Sequence, residues 1–174
     1  MGIISKLVSW KKKQKYKTLL KFKNRPEAIQ KKRLLDILKR NRTTVFGQQY
    51  EFGAINSLDD FRKKVPIRTS SEYKEFLQRM LEGNHATLCK DEPFYFAMTA
   101  GSTGQFKHIP INKPLSREID NGVLSYMHLF ESLCPEAADK PIQFLVGSAE
   151  GGKTSAGVPK GFVSGFHYRN LPSV

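Results

Sequence analysis

Acidic residues are nearly missing from the first 42 positions of this sequence. Glu27 and Asp36 stand there against 15 Lys or Arg, whereas the remaining residues carry 14 of each sign. The formal net charge of +13 is thus entirely N-terminal, and the body of the chain has no basic excess of the kind that marks a nucleic-acid binder. Cysteine is also scarce. Cys89 and Cys134 stand alone, without CxxC or zinc spacing, which excludes a disulfide framework and suits ordinary thiols in a reducing compartment. His85, His108, His128 and His167 are scattered without ligand spacing, so no metal site is expected. No apolar run reaches the length of a secretory core or a membrane span, and the expectation is a soluble, cytoplasmic chain. The start Met1-Gly2-Ile3-Ile4-Ser5-Lys6 approaches an acylation signal but puts Lys6 where the hydroxyl belongs.

What is present is enough for one packed domain. The 174 residues are 39% hydrophobic, with 12 Phe and 6 Tyr, a globular composition and not a disordered one. Residues 1–25 read as a basic amphipathic leader, with lysines interleaved among Leu7, Val8, Trp10, Tyr16, Leu19, Leu20 and Phe22 over positions 5–22. Three readings of it stay open: a solvated helix packing its apolar side on the body, contact with an acidic membrane surface, and nucleic-acid binding. Its aromatics are too few and too unevenly placed for a base-stacking platform, so no nucleic-acid partner is expected. Weak acidic membrane contact through residues 1–42 remains among the expectations.

Three helices are predicted behind the leader. Pro26 opens one ending near Asn41, and Ser57-Leu58-Asp59-Asp60 has capping-box spacing for a short one closed by Pro66. Thr69-Ser70-Ser71-Glu72 repeats that device before Tyr73, Phe76, Leu77, Met80 and Leu81, with Gly83 placed to stop the helix. Pro114 opens a later helix with a broad apolar face from Leu115 to Leu133. The apolar run 141–146 predicts a strand, and the stretch beyond Gly147, with glycines at 151, 152, 157, 161 and 165, shows no helix signal.

The informative stretch is Thr99-Ala100-Gly101-Ser102-Thr103-Gly104-Gln105-Phe106-Lys107, set between the strand-type run Phe94-Tyr95-Phe96-Ala97-Met98 and the short extended His108-Ile109-Pro110-Ile111. Composition alone describes a hairpin loop. The order of strand, hydroxyl and glycine run, and lysine suits a polyphosphate better. Gly101 and Gly104 let the backbone approach an anion, the hydroxyls of Thr99, Ser102 and Thr103 donate to phosphate oxygens, and Lys107 adds a mobile positive charge.

A second stretch, Gly147-Ser148-Ala149-Glu150-Gly151-Gly152-Lys153-Thr154, matches the pattern GxxxxGK[ST] letter for letter. That motif works because a helix begins at its lysine and aims N–H groups at the phosphates. Here Ser155-Ala156-Gly157-Val158-Pro159-Lys160-Gly161 follows, which breaks a helix in its first turns. A P-loop nucleotide hydrolase built on residues 147–154 is the rival reading.

The 99–107 stretch resembles the phosphate loop of adenylate-forming enzymes: acyl-CoA synthetases, luciferases and peptide-synthetase adenylation domains. Its surroundings narrow the likeness. Asn41-Arg42-Thr43-Thr44-Val45-Phe46-Gly47, Asp60-Phe61-Arg62-Lys63-Lys64-Val65-Pro66-Ile67, Met80-Leu81-Glu82-Gly83, Lys107-His108-Ile109-Pro110 and Gly157-Val158-Pro159-Lys160-Gly161-Phe162-Val163-Ser164-Gly165 resemble successive landmarks of the auxin-responsive-promoter (Gretchen Hagen) family of acyl acid-amido synthetases.

The resemblance implies an α/β fold, the N-terminal part of an adenylate-forming enzyme's large domain, with leading helices followed by part of a mixed sheet. Residues 26–174 would be a partial adenylation domain. It implies a ligase that joins a small carboxylic acid to ATP as an acyl-adenylate, with Mg2+, and then passes the acyl group to an amine or amino acid. Thr99, Gly101, Ser102, Thr103, Gly104 and Lys107 would hold the phosphates, while Ala100 departs from the pattern and removes one candidate contact. Members of the family are about three times this length. The adenine pocket, ribose-binding acid, magnesium-binding glutamate and catalytic lysine are not assignable within these residues. The expectation is therefore an N-terminal fragment that is inactive alone, with its acid and amine unnamed.

Overall fold

The residues described by the computed structural model are 3–99, 106–137, 143 and 145–169. Helices begin where the sequence supplies a cap or a proline. The lysine-rich start forms α1 (Ile3–Phe22), and Pro26, in a first turn where its missing N–H costs nothing, opens α2 (Pro26–Asn41). Thr44 then caps the five-residue α3 (Val45–Gln49), its hydroxyl accepting from the Gly47 N–H at 2.9 Å and donating to the Asn41 carbonyl at 2.8 Å. At Ser57 the hydroxyl accepts from the Asp60 N–H and the Asp60 carboxylate accepts from the Ser57 N–H, both at 3.0 Å, to open α4 (Leu58–Lys64). Glu72 accepts from the Thr69 N–H at 2.7 Å in the same way. The turn that follows is a 3-10 helix (Ser70–Tyr73), which passes into α5 (Lys74–Leu81). Gly83 takes φ +99 just past the end of α5, a conformation that stops the helix without a Cβ penalty.

Two apolar clusters form. In the first, Leu38, Phe46, Phe52 and Ile55 are buried, and the Phe46 ring meets Tyr50, Phe52, Tyr73 and Phe76 at centroid distances of 4.7 to 5.8 Å. Such ring pairs contribute about 0.5–1.5 kcal/mol each beyond area burial. The second gathers Tyr95, Ala97 and Ile111, with Ile119, Val163 and Phe166 packed against them.

That second cluster covers a mixed sheet of β1 (Tyr95–Thr99), β2 (Lys107–Ile111) and β3 (Lys160–Phe162) in the order β2-β1-β3. β1 pairs antiparallel with β2 and parallel with β3. As the central strand it is buried on both faces at Tyr95, Phe96 and Ala97, while Pro110, with no N–H to give, sits on the edge strand. The leading helices followed by a mixed sheet are the α/β arrangement the sequence implies.

Asn112 accepts from the Leu115 N–H at 3.0 Å and opens α6 (Lys113–Leu133). α1 lies along α6. Lys12 meets Glu131 at 2.5 Å and the Tyr16 ring meets His128 at 5.3 Å, contacts whose chain order runs in opposite senses, so the two helices are antiparallel.

The structure departs from expectation in three places. Of the strand expected over 141–146, residues 141, 142 and 144 lie outside the described residues, while 143, 145 and 146 are irregular, with Leu145 and Val146 exposed. A helix, α7 (Val163–Arg169), does form in the glycine-rich tail. The leader buries only part of its apolar surface: Val8 and Tyr16 are half-buried, whereas Ile3, Leu7, Trp10, Leu19, Leu20 and Phe22 are exposed.

Candidate functional site

β1 and β2 form the hairpin expected around the 99–107 stretch. Their register pairs Thr99 with Lys107 at the end next to the loop. Residues directly opposite in an antiparallel ladder project to the same face, so the Thr99 hydroxyl and the Lys107 ammonium flank the loop mouth on one side of the sheet. Thr99 is half-buried and Lys107 exposed. Gly101, Ser102, Thr103 and Gly104 lie outside the described residues. Two of the six candidate phosphate residues are thus brought together by the fold.

The approach to β1 is fastened from a distance. The Arg40 guanidinium, at the end of α2, grips Asp91 through two nitrogens, Nη2 to Oδ1 at 2.7 Å and Nε to Oδ2. Beside it the Lys90 N–H donates to Asn41 Oδ1 at 2.9 Å. The hydrogen bond from Arg40 holds the Asp91 carboxyl below the usual carboxylate range. Residues 41–47, one of the landmark stretches, anchor this joint. Asn41 holds Lys90, its carbonyl receives the Thr44 hydroxyl, and Gly47 lies against that same carbonyl. Sequence reasoning placed Asn41 in a landmark but missed Arg40 and Asp91, whose separation of 51 residues leaves no local signal.

The other face of the hairpin carries Met98 and His108, with Phe162 beside Met98 in β3. Burial, and then the Lys160 ammonium, push the His108 pKa below its ordinary value, so the imidazole is neutral near pH 7. Its Nε2 is buried without a hydrogen-bond partner among the described residues.

Residues 147–154 follow a different plan. No helix begins at Lys153, whose backbone forms an antiparallel bridge with Pro159. Several backbone N–H groups of this stretch are engaged within the protein, among them that of Thr154, which donates to the Val158 carbonyl at 2.8 Å. Gly151 donates to the Lys160 carbonyl at 2.7 Å, Gly147 to the Ser164 hydroxyl at 3.2 Å and Glu150 to the Ser148 hydroxyl at 3.0 Å. Close approach explains the glycines. A Cβ on Gly161 would lie 2.4 Å from the Ala149 carbonyl oxygen and 2.5 Å from the Tyr95 hydroxyl, and one on Gly165 would lie 2.1 Å from the Gly147 carbonyl oxygen. The Tyr95 hydroxyl passes over Gly161 to donate to the Ala149 carbonyl at 2.9 Å. This stretch is a packing loop laid on β3 and α7.

An open cleft of about 480 Å³ lies at the start of β1, the end away from the loop, between Tyr95, Phe166 and residues 149–153. Arg169 and Glu150 pair across part of it at 2.7 Å. Among the described residues, no group of three or more His, Cys, Asp or Glu is placed to hold a metal ion.

Comparison with known proteins bears on the same hairpin. The GH3 family N-terminal domain matches over residues 15–173. The indole-3-acetic acid-amido synthetase GH3.2 of Arabidopsis thaliana is 27% identical over 176 residues, covering 95% of this chain and 31% of its own length. The jasmonoyl-L-amino acid synthetase JAR4 of Nicotiana attenuata is 26% identical over 151 residues, covering 82% of this chain and 25% of its own. The solved structure of the GH3.15 acyl acid amido synthetase superposes with a TM-score of 0.73 at 19% identity, over 83% of this chain and 26% of that one, a likeness of fold. The chain spans under a third of the length of the curated relatives it matches.

Proposed function

Since the chain belongs to the GH3 family, we propose that it is the N-terminal portion of an ATP-dependent acyl acid-amido synthetase acting in the cytoplasm. The observation that supports this most is the hairpin, inside the family match, that sets Thr99 and Lys107 on one face at the mouth of the glycine and hydroxyl loop. In this reading a carboxylate oxygen attacks the α-phosphorus of ATP, the bond to the β-phosphate oxygen breaks, and pyrophosphate leaves. An amine nitrogen then attacks the acyl carbon, AMP departs, and the amine's extra proton goes to solvent.

The first step brings two anions together, so it needs donors placed where charge develops. Thr99, Ser102 and Thr103 bond phosphate oxygens, Gly101 and Gly104 admit the backbone to them, and Lys107 offsets charge on the departing pyrophosphate. Mg2+ accompanies ATP and lowers the charge of the triphosphate. The substrates are a small carboxylic acid and an amine or amino acid, the classes that the relatives' names carry.

The test is acid-dependent exchange of labelled pyrophosphate into ATP by a longer protein containing this chain, across a broad panel of carboxylic acids. Exchange is expected with at least one acid, and Lys107→Ala should lower its rate by about 100-fold, the scale of losing one transition-state donor. Absence of exchange with every acid contradicts the proposal. These 174 residues alone are expected to turn nothing over, and turnover by the purified chain would overturn that part.

A further inference from the structure

α1 carries seven lysines and no acidic residue. Its two sides differ. Val8, Lys12 and Tyr16 turn toward α6, where Lys12 pairs with Glu131 and Tyr16 meets His128. On the roughly opposite side, Ile3, Leu7 and Trp10 recur at i, i+4 and i+7 and share one face. They are 88%, 62% and 60% exposed. Lys6, Lys13 and Lys17 border that face on one flank and Lys11 on the other, all exposed. The patch precedes residue 15, where the match to the family model begins.

We propose that the α1 face carrying Ile3, Leu7 and Trp10 is a docking surface for anionic lipid bilayers, with its bordering lysines supplying the attraction. A helix of 20 residues is about 30 Å long and can lie flat in the interface, its apolar side chains sunk among headgroups and first methylenes. Tryptophan favours that depth because its ring is apolar and its N–H stays wet. The helix lies on the bilayer and does not cross it, since no described helix is long and apolar enough to span one. Charge complementarity selects the partner. Residues 1–42 hold the whole net charge of +13, which favours an acidic surface, and the three apolar side chains favour lipid over nucleic acid, whose phosphates give them nothing to enter.

Trp10 is the single tryptophan of the chain, so intrinsic fluorescence reports on the patch itself. The experiment titrates the 174-residue chain with vesicles of equal parts phosphatidylserine and phosphatidylcholine, following Trp10 emission and co-sedimentation together. Emission should shift to the blue as the chain sediments. Both signals should be lost when salt rises from about 0.1 M to about 1 M, which shortens the Debye length from about 10 Å to about 3 Å. Leu7→Asp should weaken partitioning about tenfold or more, and the triple change Lys6→Glu, Lys13→Glu, Lys17→Glu should abolish it, with far-UV helicity unchanged in both. Should Leu7→Asp lose helicity, the lysine variant, altered only at exposed positions, carries the test. Unchanged emission with acidic vesicles overturns the proposal, as does sedimentation without a blue shift, which is adsorption by lysine alone. Equal binding to pure phosphatidylcholine also overturns it, and so does salt-sensitive binding to duplex DNA or RNA with none to vesicles.

Discussion

The chain contains two glycine-rich stretches with a lysine near the end, and the fold treats them in opposite ways. Residues 99–107 link two paired strands, with Thr99 opposite Lys107 where the loop leaves and rejoins the sheet. Residues 147–154, which spell the better-known phosphate pattern, are pressed on β3 and α7, with the N–H groups of Gly147, Glu150, Gly151 and Thr154 engaged. The letters G, S, T and K therefore do not make an anion site. In residues 147–154 and the strand and helix they pack on, glycine admits the protein's own backbone, as at Gly161 and Gly165.

The contrast can be broken most severely at Gly165. A valine there would place its Cβ 2.1 Å from the Gly147 carbonyl oxygen and 2.6 Å from the Ala149 N, both backbone atoms with little room to retreat. Gly165→Val should destabilise the fold by about 3 kcal/mol or more, read as a lowered denaturation midpoint. A near-neutral result would mean that residues 147–149 are not packed on α7.

Thr44→Ala tests the anchor behind the hairpin. It removes the cap of α3 and the buried hydroxyl's bond to Asn41, the residue that also holds Lys90. A loss of about 1–2 kcal/mol in urea unfolding is expected, and Thr44→Ser should recover most of it. Equal losses for both variants would assign the effect to the methyl group and not to the cap.

His108 gives the smallest expected effect, and it depends on pH. Its folded pKa lies below the ordinary 6.5, so as pH falls through that value the unfolded chain takes up a proton before the folded one does. Stability declines from about pH 6.5 down through the lowered folded value. Thermal midpoints of His108→Gln should be flatter than the parent's across that window. Identical slopes would remove His108 as the cause. The lowered carboxyl of Asp91 acts further down: its contribution is present above its unfolded value and is lost as pH falls through the folded one.

Much of this was legible where the signal is local. The bounds of α2 follow from Pro26, both capping boxes are formed, and the hairpin stands where an apolar run meets a glycine turn. α3 escaped notice because five residues cannot show a period, and its one cue, Thr44, precedes no amphipathic run. α7 was hidden by Gly161 and Gly165, which read as breakers until their contacts with Ala149, Tyr95 and Gly147 are known. In the candidate site, the hairpin that pairs Thr99 with Lys107 was legible. The clamp of Arg40 on Asp91 was not, because nothing in either stretch points to the other.

The most direct measurement is the ATP affinity of two variants of one protein containing this chain, Lys107→Ala and Lys153→Ala, against the parent. A lysine bound to phosphate contributes about 1.5–3 kcal/mol, so Lys107→Ala should weaken ATP binding about tenfold to a hundredfold while Lys153→Ala leaves it unchanged. Loss of binding in Lys153→Ala with Lys107→Ala unaffected would contradict the account and return the site to residues 147–154.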